Sequence, residues 1–190
     1  MSFRVKLILI FISSLTILLL CLHLYLEEQG NFHIITPGEA YRSAQLDRDE
    51  LEYYIKKYNI KSILNLRGKN PNAAWYIEEL QVSSELNVKH YDIALSATRE
   101  LTDEEVRKLI EIFKSAPRPV LIHCKSGADR SGLVAAMWKV VVDGEPKSEA
   151  RKQLSLLYGH LSTGKTKAMD QFFDEFFEKW TRGAYSDLKN

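Results

Sequence analysis

Val120-Leu121-Ile122-His123-Cys124-Lys125-Ser126-Gly127-Ala128-Asp129-Arg130-Ser131-Gly132 is the stretch on which the fold turns. The first four residues are a short apolar run of the kind buried in the middle of a sheet. The residues from Ser131 onward are apolar and helical in pattern to about 142. A loop between a buried strand and a helix turns backbone N–H groups toward a helix N-terminus, which makes a cradle for an anion. The same partial positive charges favour a thiolate at Cys124, and the thiolate is the nucleophilic form of cysteine. Arg130 returns to the mouth of the loop six residues on, where its planar fork can hold two phosphate oxygens. Gly127 permits backbone conformations closed to other residues. Gly132 lets the helix start close to the loop.

Working outward, strands and helices alternate. A strand is expected over 40–44, a helix over 47–58 capped by Asp47 and Asn59, and a strand over 60–66. A helix over 75–86 and a strand over 88–95 follow. Thr102 and Glu105 form a capping box in front of Val106, Leu109, Ile110 and Phe113, which repeat at helical spacing. Two amphipathic helices are expected over 148–158 and 166–180. The pattern is α/β: a small, mostly parallel central sheet flanked by helices.

The N-terminus reads differently. Residues 7–26 contain no Asp, Glu, Lys or Arg, and as a helix they would span roughly 30 Å, the hydrocarbon thickness of a bilayer. Arg4 and Lys6 precede the run and two glutamates follow it. The expectation is one N-terminal transmembrane helix that precedes the α/β domain, with a cytoplasmic N-terminus and an extracytoplasmic catalytic domain. The domains are then a membrane anchor over 1–26, a linker over 27–32, a catalytic domain over 33–182 and a tail over 183–190.

The whole chain has 190 residues and a formal net charge of +1, so a strongly basic nucleic-acid binder is excluded. Its two cysteines exclude a disulfide-dense scaffold and a four-thiolate zinc site. Gly159 to Thr166 satisfies the spacing of a phosphate-binding G-x4-G-K-T loop, but a helix pattern precedes it where a buried strand is required.

The His123–Gly132 segment resembles the loop of cysteine-dependent protein tyrosine phosphatases, most nearly the small dual-specificity type that includes bacterial exported members. Tyr41-Arg42-Ser43-Ala44-Gln45, Ile63-Leu64-Asn65-Leu66-Arg67 and Tyr158-Gly159-His160 are similar to segments of the same group. The resemblance implies a phosphatase that works without metal or organic cofactor. Cys124 would attack phosphorus and Arg130 would bind the phosphoryl oxygens. Lys125, Ser126, Gly127, Ala128 and Ser131 would line the phosphate site, and Ser131 would help the thiolate leave. His123 would position the cysteine. The substrate would be a phosphorylated protein or a small phosphomonoester, with an inositol phosphate or phospholipid head group as the alternative, or a phosphate-binding module without turnover.

The general acid is less determined. The loop where this family keeps an Asp is here Ser96-Ala97-Thr98-Arg99-Glu100, without one. Asp129 sits inside the phosphate loop, where myotubularin-like phosphatases also carry an Asp. Asp92, Glu100, Asp103 or the absence of a dedicated acid are the alternatives. Arg42, Arg67, Lys69 and Arg99 are candidates for the rim of the pocket.

Overall fold

A computed structural model describes residues 2–28 and 30–188, with the side chains of residues 19, 22, 23 and 25–28 outside the description. Helix α1 covers Phe3–Glu28. The expected transmembrane helix is corrected at this point. Among the described residues no helix is long and apolar enough to cross a membrane. The single-pass placement and the extracytoplasmic site that followed from it fall with the span.

Five strands form one sheet in the order β1-β2-β5-β3-β4. They are β1 (His33–Thr36), β2 (Ala40–Ser43), β3 (Ser62–Asn65), β4 (Lys89–Asp92) and β5 (Val120–His123). β5 runs parallel between β2 and β3, β4 runs parallel to β3, and the β1–β2 hairpin is antiparallel. β1 was not foreseen in the sequence. Its signal is Pro37-Gly38 in the turn, where Glu39 N donates to Thr36 O at 3.0 Å and Gly38 takes a φ of 73°.

Side chains alternate across the sheet and set its two layers. Leu121 and Ile63 join Leu51 and Ile55 of α2 (Arg48–Tyr58) and Val82 of α3 (Ala74–Glu85) on one face. Val120, Ile122 and Leu64 join the other, larger core. That core is built from α4 (Asp103–Ser115), α5 (Asp129–Val141) and α7 (Lys167–Thr181). The expected Thr102–Glu105 capping box forms, and Asp47, expected as the cap of α2, makes a second box with Glu50.

The helix expected over 148–158 breaks up. α6 is only Lys147–Ala150, followed by 3-10 turns at Arg151–Gln153 and Leu156–Tyr158. The cause is Arg42, which takes both the backbone oxygen and the side-chain oxygen of Gln153, at 2.7 and 3.0 Å. The carbonyl of Gln153 is thus drawn out of a helical ladder. In the segment expected as a linker, Asn31 is buried and Phe32 stacks on Tyr54. In the segment expected as a tail, Tyr185 is buried in the larger core.

Candidate active site

The loop leaves the C-terminal end of β5, the central strand, and enters α5. Ligands of open α/β sheets bind at this end of the strands. Cys124 is 1% exposed, and its Sγ lies 3.5 Å from the buried Ser131 Oγ. No side chain caps the first turn of α5, so its N–H groups remain available to a bound anion.

The carbonyls of the loop explain its shape. Lys125 O accepts from Gln45 N at 3.1 Å and Ser126 O accepts from Asn31 Nδ2 at 2.9 Å. Gly127 O and Ala128 O both accept from Arg42 Nη2, at 2.8 and 3.0 Å. Four successive carbonyls are therefore spent on the surrounding scaffold. With the oxygens turned outward, the intervening N–H groups are left to face the hollow of the loop, forming an anion-binding nest.

Gly127 is required twice in this arrangement. Its φ is 71°, and a Cβ there would lie 2.6 Å from Ala44 N. Gly127→Ala is expected to cost about 2 kcal/mol or more of stability. Misplacing the loop by even a fraction of an ångström should lower kcat/KM by about 10²-fold. Urea unfolding and aryl phosphate kinetics check both, and wild-type values in both would contradict the close approach.

Arg42, expected on the rim, is instead fully buried beneath the loop. Its guanidinium also stacks on Tyr158, 4.5 Å from the ring centroid. Burial pushes it down to about 10, opposed by the charges of Cys124, Tyr158 and Asp129, so it remains a cation at neutral pH. A buried cation under the nest favours any anion within it. Asn31 Oδ1 accepts from His33 Nε2 at 2.8 Å. Burial, then the charge of Arg42, push His33 down to about 4, which keeps that ring neutral.

Arg130 Nη1 donates to Leu66 O and Leu95 O at 3.3 and 3.4 Å, both long contacts that hold the guanidinium near the ends of β3 and β4. Of the other rim candidates, Arg67 stacks on Trp75 at 3.5 Å and donates to Gln45 Oε1 at 3.0 Å. Arg99 is paired with Glu105 at 2.6 Å, and Lys69 is exposed.

His123 is buried at the end of β5, with Nε2 3.1 Å from Glu79 Oε2, outside hydrogen-bond geometry. Glu79 itself is buried in α3 and accepts from Gln45 and His90, each at 2.8 Å. Burial would raise its pKa, but the neighbouring charge of His123 and these hydrogen bonds outweigh it and hold the carboxyl well below the ordinary range. A fixed carboxylate thus backs the residue before the cysteine. Glu79 lies inside the helix expected over 75–86, and nothing in its spacing singles it out.

The acid candidates separate on geometry. Asp92 accepts from Tyr76 Oη and Asn65 Nδ2, both at 2.8 Å, and is spent on fixing the end of β4. Asp103 accepts from Tyr185 Oη at 3.0 Å. Glu100 points its side chain into solvent. Asp129, at the start of α5, keeps a side chain 22% exposed, with Oδ1 2.7 Å from His160 Nδ1. It also lines a cleft of about 640 Å³ together with Lys125, Ser126, Ala128, Asn31, Gln45 and Gly159. The side chains of Lys125 and Ser126 are exposed at its edge. Among the described residues no cluster of His, Cys, Asp and Glu could hold a metal ion. The Gly159–Thr166 segment follows a 3-10 turn, and Gly159 ends that turn with a φ of 79°.

A mostly parallel sheet, a central strand that leads into Cys124, and a nest leading to Arg130 define a dual-specificity-like domain of the cysteine-dependent protein tyrosine phosphatase superfamily. A family model described as "DSP-PTPase phosphatase fused to NAD+ Kinase" matches residues 36–172, and the chain belongs to that family. The dual specificity protein phosphatase TpbA of Pseudomonas aeruginosa is 30% identical over 126 residues, 65% of this chain and 53% of that protein. The inositol diphosphatase SIW14 of Saccharomyces cerevisiae is 25% identical over 152 residues, 77% of this chain and 50% of that protein. The chain spans about half the length of these curated relatives. The crystal structure of TpbA superposes with a TM-score of 0.61 at 25% identity, covering 76% of this chain and 84% of that one. The Siw14 catalytic core superposes at 0.63 with 19% identity over 83% and 92%, a likeness of fold alone.

Proposed function

We propose that this chain hydrolyses phosphomonoesters, phosphotyrosine protein foremost, through a phosphocysteine at Cys124. The observation that carries the reading is the run of outward-bonded carbonyls from Lys125 to Ala128, which commits the loop's N–H groups to an anion above Cys124. In this reading the nest and Arg130 hold the three non-bridging oxygens, and their charge is stabilised as the phosphoryl group transfers. The Cys124 thiolate forms the S–P bond as the P–O bond to the leaving group breaks. Asp129 delivers the proton that the leaving oxygen takes up. A water then attacks the phosphocysteine, and the thiolate leaves toward Ser131, whose hydroxyl is 3.5 Å away. His123 fixes the start of the loop.

The likeness to TpbA, a relative also crystallised in complex with phosphotyrosine, supports an aryl phosphate as substrate. A second reading, an inositol phosphate, is favoured by the roughly 640 Å³ cleft beside Lys125 and by the likeness to SIW14. The test is turnover of p-nitrophenyl phosphate, a phosphotyrosine peptide and inositol phosphates by the full chain without added metal. Multiple turnovers with the aryl esters are expected. A single equivalent of bound phosphate without turnover would instead mark a phosphate-binding module.

A further inference from the structure

His160 is 3% exposed and has no part in the chemistry described so far. Its Nδ1 lies 2.7 Å from Asp129 Oδ1 and its Nε2 lies 2.9 Å from Asp170 Oδ2. A neutral imidazole has one donor nitrogen and one acceptor nitrogen, so it would set a lone pair against one of these carboxylates. The imidazolium, with two donors, satisfies both.

The two carboxylates are not equivalent. Asp170, on α7, is buried and has a second cationic partner, Arg151, whose Nη2 lies 3.4 Å from Asp170 Oδ1. Arg151 is in turn paired with Asp174. Asp129, on the first turn of α5, borders the cleft and immediately precedes Arg130. One end of the chain of groups is therefore anchored in the protein, and the other borders the cleft beside the Cys124 loop. Burial opposes a charge on His160, but its hydrogen bonds to Asp129 and Asp170 prevail and hold its pKa above the ordinary value.

We infer that His160 stores the proton that Asp129 passes to the leaving group. The inference rests on the reading of Cys124 as nucleophile. A carboxylate in contact with an imidazolium is ionised and has no proton of its own to give. In the first half-reaction the S–P bond forms, the P–O bond breaks, and His160 Nδ1 gives up its one proton to Asp129, which passes it to the leaving oxygen. Asp129 ends as the carboxylate it was, and the imidazole is left neutral. In the second half-reaction water adds to phosphorus as the S–P bond breaks. Its proton returns through Asp129 to His160, and phosphate departs. Protons and charges balance over the cycle with no added reagent. His160 is thus a positioning and proton-holding residue that acts through Asp129.

The experiment compares kcat/KM for p-nitrophenyl phosphate, whose phenolate leaves without a proton, with that for phenyl phosphate, whose phenolate does not. Both are measured across pH in wild type, His160→Gln, Asp129→Asn and the double variant. His160→Gln is expected to lose about 10²-fold on phenyl phosphate and far less on p-nitrophenyl phosphate. The double variant should be no worse than either single one. The descending limb of the wild-type phenyl phosphate profile should lie above the ordinary histidine value of about 6.5, and in His160→Gln it should move toward the carboxylic range, about 4. The charged groups that face His160 are Asp129 from α5 and Asp170 from α7, with Arg151 and Asp174 behind. Asp170→Asn keeps the imidazole and should also move the limb down.

Equal losses on both esters, no loss, or a limb unmoved in His160→Gln would reduce the contact to a structural clamp and overturn the relay. If His160→Gln does not fold, an unmoved limb in Asp170→Asn overturns it equally. Failure of the underlying reading looks different: wild type would then form no phosphocysteine, whatever His160 does.

Discussion

Cys124→Ser is expected to abolish turnover of aryl phosphates, with kcat reduced by about 10⁴-fold or more. The reason lies in the nest. Its N–H groups and the cation of Arg42 beneath it favour an anion, and a thiolate can form there while an alkoxide cannot. A serine hydroxyl needs a base to become a nucleophile, and the nearest side-chain partner of Cys124 is another hydroxyl, that of Ser131 at 3.5 Å. The substitution removes no packing volume of consequence, so the unfolding midpoint should stay close to that of wild type. Binding of inorganic phosphate should also persist, because the nest is backbone. Activity within ten-fold of wild type would remove Cys124 from the chemistry.

Arg42→Ala should produce the largest loss of stability among single substitutions near the site. The side chain is buried and bonded to the oxygens of Gly127, Ala128 and Gln153. Truncation strands these carbonyls in a dry interior and leaves a cavity. Buried acceptors left unpaired cost about 1–3 kcal/mol each, and a loss of about 3 kcal/mol or more is expected overall. It should appear as a lower urea midpoint with an unchanged slope. The loop would also lose the anchor of two of its carbonyls, so kcat/KM should fall along with stability. Arg42→Lys keeps a charge but not the fork, and should fall between the two. A change within 0.5 kcal/mol, roughly that of an ordinary surface substitution, would contradict the clamp.

The contrast between these two residues shows what a sequence makes visible. Cys124, Gly127, Asp129, Arg130 and Gly132 lie within one short segment, and the strand before them and the helix after them are legible from apolar patterning. The parallel sheet follows, because strands separated by helical segments need crossovers. Arg42, Asn31 and Gln45 satisfy the loop from far along the chain. Nothing local distinguishes a buried arginine from one on a rim, so from sequence Arg42 is no more than a rim candidate. Its claim on Gln153 also broke a helix that periodicity alone supported. Glu79 joins the site only through contacts that the fold brings about, and His160, though it lies in a segment similar to the phosphatase group, shows its partners Asp129 and Asp170 only in the structure. At the N-terminus the absence of charge suggested a membrane span that no helix among the described residues provides.

The account stands on a covalent phosphoryl group at Cys124. The most direct measurement is rapid-quench mass spectrometry of the full chain mixed with excess p-nitrophenyl phosphate, stopped in acid to preserve the S–P bond and digested to peptides. The account predicts a transient gain of one phosphoryl group on the peptide that contains Cys124, forming with the burst of nitrophenolate and missing from Cys124→Ser. A burst with the phosphoryl group on another residue, or steady turnover with Cys124 never modified, would contradict it.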